Sequence, residues 1–247
     1  MSLEVTMASA DAVAAMKAAV ARSKRASTVQ FPVEFVRSVD DDPPMLAQLM
    51  AGGQGGSVRL KLYLTLAMQA TRPPRNVTPR TSAGYARLLD LPDGPGSRRV
   101  NEALKWLTAR QLIARKDRPG KPAQIALLQP DGSGEEWTTT GGSRWVTLPI
   151  QLWDDGWIFS LSGRALAVYV ALRELLGGNK HPDGQVMDGF RKRQYGMSDD
   201  TWTRATKELV ELGLLAITVE PWGDDERVRR VRRRYLLLEL SSLAIRN

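Results

Sequence analysis

The residue types that carry most enzyme chemistry are nearly absent from this chain. It holds no cysteine and a single histidine, His181. Thiolate chemistry, disulfides, two-histidine metal clusters and any Ser–His–Asp triad not built on that one imidazole are therefore excluded. His181 lies in GGNKHPDG, a loop-type stretch, and no motif places two carboxylates together for acid–base work. The chain reads as a non-enzyme without metal or cofactor. What remains is cationic. Arg98, Arg99, Asn101 and Lys105 share the polar side of a helical pattern, and Arg115, Lys116, Arg118 and Lys121 follow in a short basic stretch. Arg227, Arg229, Arg230, Arg232, Arg233 and Arg234 form a dense run further on. Such a concentration of cations suits a polyanionic partner.

The excess is local. Over 247 residues the net charge is +8. Residues 58–128 carry 14 basic and 4 acidic side chains, net +10, whereas 129–156 carry 1 and 5, net −4. Residues 1–57 come to −1 and 157–247 to +3. A basic segment of domain size is the footprint of a nucleic-acid-binding unit. These shifts give the expected organisation: an N-terminal arm and linker over 1–57, a domain over 58–128, an acidic, tryptophan-containing linker over 129–156, and a second domain over 157–247. The glycine-rich AGGQGGS lacks the Gly-Lys-Ser/Thr ending of a phosphate-binding loop and reads as a connection. Asp40-Asp41-Asp42 before Pro43-Pro44 reads as a helix-start or turn signal. No run of 18 apolar residues occurs, so no membrane span is expected.

The elements that must hold the cations repeat. ALKWLTARQLIA (103–114) aligns with ATKELVELGLLA (205–216), and KLYLTLAM (61–68) with ALAVYVAL (165–172). In the first copy Leu60, Leu64, Ala67 and Met68 give a buried helical face, and Tyr85, Leu88 and Leu89 mark a second helix. PDGPG is a turn, Ser97 the N-cap of a third helix, and LIARKD–RPGKP–AQIALL a hairpin. The second copy has helices near 161–176, 185–195 and 199–212, the last burying Trp202, Ala205, Thr206, Leu209 and Leu212. LAITVEPW and RVRRVRRRYLLLEL then form a hairpin. The alternation of strand side chains puts Leu236, Leu238 and Leu240 on the packed face, so the arginine-bearing end must project from the body. Trp137, Trp145, Trp153 and Trp157 lie between the copies and are expected to pack against the domains.

A short helix, a turn, a helix of this form and a hairpin resemble the winged helix-turn-helix, and two in one chain are similar to plasmid replication initiators and to bacterial winged-helix regulators. The resemblance covers roughly 58–128 and 157–240. It implies a mainly α fold with small β hairpins (α+β), in two tandem winged-helix domains, and a double-stranded DNA partner bound as a homodimer or as an array on repeated sites. Its expected location is the cytoplasm, on a bacterial nucleoid or plasmid. A third helix in the major groove would direct Arg98 and Arg99 to guanine, Asn101 to adenine and Lys105 to phosphate. Arg115, Lys116, Arg118 and Lys121 would serve the first wing and the Arg227–Arg233 run the second. Arg191, Arg193, Thr203, Arg204 and Lys207 would supply the second domain's contacts, with Asp199 and Asp200 making it the weaker reader. The expected role is that of an initiator or origin-binding protein; a transcriptional repressor and a protein-interaction adaptor stand as alternatives.

Overall fold

A computed structural model describes residues 8–38, 40, 42–53, 55–138, 144–177, 181, 183–222 and 230–240. It is mixed α and β, with small antiparallel sheets among the described residues. One order of elements occurs twice. Helix α4 (Gly55–Gln69), strand β2 (Asn76–Val77), helices α5 (Ser82–Leu88) and α6 (Pro95–Ala109), and strands β3 (Ile113–Arg118) and β4 (Lys121–Leu127) make the first unit. Helix α9 (Gly163–Leu175), strand β6 (Gln185–Val186), helices α10 (Gly189–Gln194) and α11 (Asp199–Glu211), and strands β7 (Leu215–Trp222) and β8 (Arg230–Leu237) make the second. The strand orders correspond too: β2-β4-β3 and β6-β8-β7, all antiparallel. The two-residue strands β2 and β6 give no sequence signal of their own; each pairs with the second arm of its hairpin.

The segments outside the units are not spacers. Residues read as an arm form α1 (Ala10–Ser23), β1 (Thr28–Pro32), α2 (Val33–Val36) and α3 (Met45–Met50). Those read as the intervening linker form β5 (Trp145–Pro149), α7 (Gln151–Asp154) and α8 (Trp157–Ser160). Strand β1 pairs with β5 along its whole length, from Thr28 opposite Pro149 to Pro32 opposite Trp145. The physical reason is apolar surface. Helix α4 is buried at every residue from Leu62 to Gln69, and α9 at every residue from Ala165 to Leu172. A helix without a polar face must be covered all round. Its own unit covers only part of each helix, and the N-terminal and intervening elements pack over the rest.

Named contacts carry this cover. Phe31 and Phe35 stack with ring centroids 4.8 Å apart, and Tyr63 of α4 lies 6.2 and 5.7 Å from them. Trp137, buried, lies 5.7 Å from Phe31. Arg25 donates through Nε to the Met68 carbonyl at 2.8 Å, and through one terminal nitrogen to those of Ala67 and Ala70 at 3.0 Å. It thereby satisfies carbonyls that the end of α4 leaves unpaired. Between the first unit and the intervening segment, Trp153 donates to the Thr65 hydroxyl at 3.3 Å, and Lys61 to the Phe159 carbonyl at 2.9 Å. Burial pulls the Lys61 amine down to about 8, against a smaller opposing effect of Glu208. Trp153 and Trp157 are fully buried, and the core of both units is one continuous cluster.

Met16 of α1 is fully buried in that cluster. Met16→Ala is expected to destabilise the chain by about 2–5 kcal/mol in chemical denaturation, whereas a change in a solvated arm would stay within about 0.5 kcal/mol.

Candidate nucleic-acid interface

The candidate surface begins at α6. This helix starts inside PDGPG: Gly94, at φ 72°, precedes it and Pro95 occupies its first position. Proline's fixed φ suits that place, so Ser97, expected as the cap, lies two residues inside the helix instead. Gly96 is needed for the fit, since a Cβ there would stand 2.7 Å from the Leu91 Cβ. Val100, Ala103, Leu104 and Leu107 face inward, which leaves Arg98, Arg99 and Lys105 exposed and Asn101 half-buried. Lys105 pairs with Glu102 at 2.9 Å, both side chains being about three-fifths exposed. A pair so open to solvent is worth little and exchanges readily.

The adjacent hairpin divides its cations between two tasks. Lys116 and Lys121 are exposed. Arg115 pairs with Asp117 at 3.0 Å. Arg118 turns back, donating to the Pro122 carbonyl through two nitrogens at 3.0 and 2.6 Å beside the register shift between Lys116 and Arg118. It shapes the tip and does not reach out from it.

A groove of about 540 Å³ runs beside α6, lined by Gly55, Arg59, Arg98, Arg99, Lys105 and Trp106 among others. The half-buried Trp106 has two guanidiniums close to its ring, Arg59 at 4.6 Å and Arg110 at 5.4 Å. Arg59 also donates to the carbonyls of Leu49 and Ala51 at the end of α3. Neither Arg59 nor Trp106 stands out in the sequence, because a tryptophan at helical spacing reads as core.

In the second unit the cations are largely matched. Ser198 caps α11, accepting from the Thr201 amide at 3.2 Å. Asp199 pairs with Lys192 at 2.8 Å, Asp200 with Arg204 at 2.8 Å, and Glu211 lies 3.8 Å from Lys207. Thr203 is exposed, as is Arg193, whose guanidinium lies 5.9 Å from the Phe190 ring. Arg191 donates to the Val186 carbonyl at 3.2 Å and so braces β6.

The β7–β8 hairpin packs on the face opposite to the one expected. Leu215 and Tyr235 are buried, with Ile217 and Leu237 packed beside them, whereas Leu238 is 41% exposed; of the leucines expected to pack, Leu240, beyond β8, does lie against the core. Tyr235 sets this choice by meeting Trp202 edge-on at 6.0 Å. Further out the same face is uncovered, with Val219 and Val231 more than half exposed and Arg233 also exposed. On the other face Glu220 binds Arg234 at 2.7 Å and Arg232 at 3.1 Å. Arg227 and Arg229 lie outside the described residues, as does the side chain of Arg230.

Among the described residues no cluster of His, Cys, Asp and Glu could hold a metal ion, and no helix is long and apolar enough to cross a membrane. No protein-family model, curated protein or solved structure matches the chain.

The hydrogen bond from Arg234, helped by Arg232, holds the Glu220 carboxyl below the ordinary glutamate range. A depressed folded-state value contributes stability above the unfolded pKa, which is lost as pH falls through the folded one. In a carbon-detected NMR titration Glu220 is expected to titrate below free glutamate, and Arg234→Ala should move it back up.

Proposed function

We propose that the chain is a sequence-specific, double-stranded DNA-binding protein made of two tandem winged-helix units, acting without catalysis. The observation that carries this reading is the doubled order helix–strand–helix–helix–hairpin with matching strand order, in which the first unit's third helix exposes Arg98 and Arg99 beside a basic hairpin. On this reading α6 enters the major groove, where arginine bonds bidentately to guanine O6 and N7 and asparagine to adenine. Lys105, Arg115, Lys116 and Lys121 meet phosphate. The second unit reads less, because Asp199 and Asp200 sit in the first turn of α11 and engage its cations.

The biological role proposed is that of a plasmid-type replication initiator or origin-binding protein, in the cytoplasm with bacterial DNA. A single chain that carries two readers can occupy repeated sites one copy at a time. The opposing role is a transcriptional repressor, which would call for an inverted operator and a dimer. Sequencing the DNA that the protein selects separates the two, direct repeats favouring the first and a promoter-linked inverted repeat the second.

Roughly six phosphate contacts should give a log–log salt slope of about −5, with affinity falling about a thousandfold between 50 and 200 mM salt. Arg98→Ala is expected to cost about 1–3 kcal/mol and to relax one base preference. Binding that ignores salt on every duplex would sink the reading, and an equal loss on all sequences for Arg98→Ala would remove Arg98 as a base reader.

A further inference from the structure

Trp106 and the groove it lines have no task in the DNA-binding reading. The groove lies between α6 and the beginning of α4, and along α6 its lining reaches from Arg98 to Ala109. At 1.5 Å per residue that stretch is about 16 Å long. Ala103, Trp106 and Ala109 recur along α6 at helical spacing and give the groove an apolar floor. Gly55 keeps the α4 side open, since a Cβ there would meet nothing within 4 Å. The volume of about 540 Å³ falls in the ordinary range of small-molecule sites.

The rim is cationic. Arg59, Arg98, Arg99 and Lys105 line the groove against one carboxylate, Glu102, which already pairs with Lys105 at 2.9 Å. Arg59 is set in place by the carbonyls of Leu49 and Ala51 and lies 4.6 Å from the Trp106 ring. Arg110, held by the Gln48 side chain at 3.1 Å, comes within 5.4 Å of the same ring. Neither guanidinium has a carboxylate partner among the described residues. Burial and then the like charge of Arg110 pull the Arg59 pKa down. An anion entering the groove would relieve that repulsion.

Such a surface selects a ligand in two parts. The cations call for a negative group. Guanidinium and indole planes are the surfaces on which flat π-rings stack. An inorganic ion would leave the apolar floor wet, and an acidic side chain brings charge without a ring. The bases of a duplex are stacked inside it and offer no free ring either. We propose that the groove binds a small aromatic anion, a mononucleotide or an aromatic acid, with its ring against Trp106 and Arg59 and its charged group at Arg98 and Arg99. A bound ligand then excludes duplex DNA from those two arginines. That consequence rests on the DNA-binding reading above; the binding itself does not.

Isothermal titration of the full chain with AMP and with naphthalene-2-sulfonate tests the proposal, adenosine and inorganic phosphate serving as the separate parts of AMP. One site is expected, with AMP bound at least about tenfold more tightly than either part. A preference for AMP over the sulfonate identifies a nucleotide, and the reverse an aromatic acid. Replacing Arg98 and Arg99 together by Ala should weaken AMP roughly tenfold to a hundredfold and leave adenosine unchanged. Gly55→Leu puts a side chain into open space and should abolish binding of both probes without lowering the unfolding temperature. Ligand-induced quenching of tryptophan fluorescence should vanish in Trp106→Phe. Absence of binding by both probes at millimolar concentration would overturn the proposal. So would adenosine or phosphate binding as tightly as AMP, or unchanged affinity in a folded Gly55→Leu variant. A deoxyadenylate strand of about eight nucleotides bound through the same residues more than about a hundredfold tighter than AMP would put a single strand in place of the small ligand. A selected duplex that stays bound at saturating AMP would overturn the placement of the charged group at Arg98 and Arg99. Failure to bind any duplex would remove the DNA-binding reading and leave the AMP result standing.

Discussion

Two helices with no polar side set the terms for the rest of the molecule. Helices α4 and α9 are each buried over at least two full turns, on every face. A helix of that kind is stable in water only when other elements surround it. The two helices meet at Ser57 and Gly163, each unit folds its own helices against one side, and the remaining sides are closed by α1, α2, α3 and the β1–β5 pair. Side chains that bear no relation to a ligand, such as Phe31, Phe35 and Trp153, thereby fix where the exposed cations lie.

The same packing decides which positive charges are on offer. Of the basic side chains that make residues 58–128 so cationic, several are spent internally. Arg75, only 6% exposed, donates to the Trp137 carbonyl at 2.8 Å and lies 4.7 Å from the Trp137 ring. Arg59 holds the end of α3, and Lys61 bridges to Phe159. Burial pulls the pKa of all three down, as expected for cations taken out of water. The charge that faces outward is thus smaller than the sequence total; Arg98, Arg99 and Lys105 of α6 and Arg115, Lys116 and Lys121 of its hairpin are exposed, as are Arg72, Arg87 and Arg110.

The doubled helices and hairpins were legible because they rest on local signals: apolar spacing, Ser198 before an acidic first turn, and proline and glycine at a hairpin tip. Helix α6 starts three residues ahead of the place that Ser97 marks, because Pro95 competes with Ser97 for control of the terminus. On β8, alternation shows which residues share a face but not which face meets the core; that choice belongs to Tyr235 and Trp202, which are distant in sequence. The cover over α4 and α9 left a trace that one-sided reading overlooks. KLYLTLAM and ALAVYVAL are apolar nearly throughout, more than a helix with a single buried stripe requires. The groove shared by Arg59 and Trp106 had no counterpart in the sequence, since it depends on how α4 and α6 approach.

Among the described residues strand β1 pairs with β5 alone, beyond the whole of the first unit. During synthesis the first unit is therefore complete in sequence before the strand that closes the cover over its central helix has left the ribosome. Until Trp145–Pro149 emerges, β1 has an unpaired edge, and the faces of α4 destined for α9 remain wet. The ladder between β1 and β5 ties the N-terminal segment to the intervening segment that packs on α9. A chain cut after the first hairpin would lose half of that ladder and the packing of α9, so the surface of α6 does not belong to a separable module.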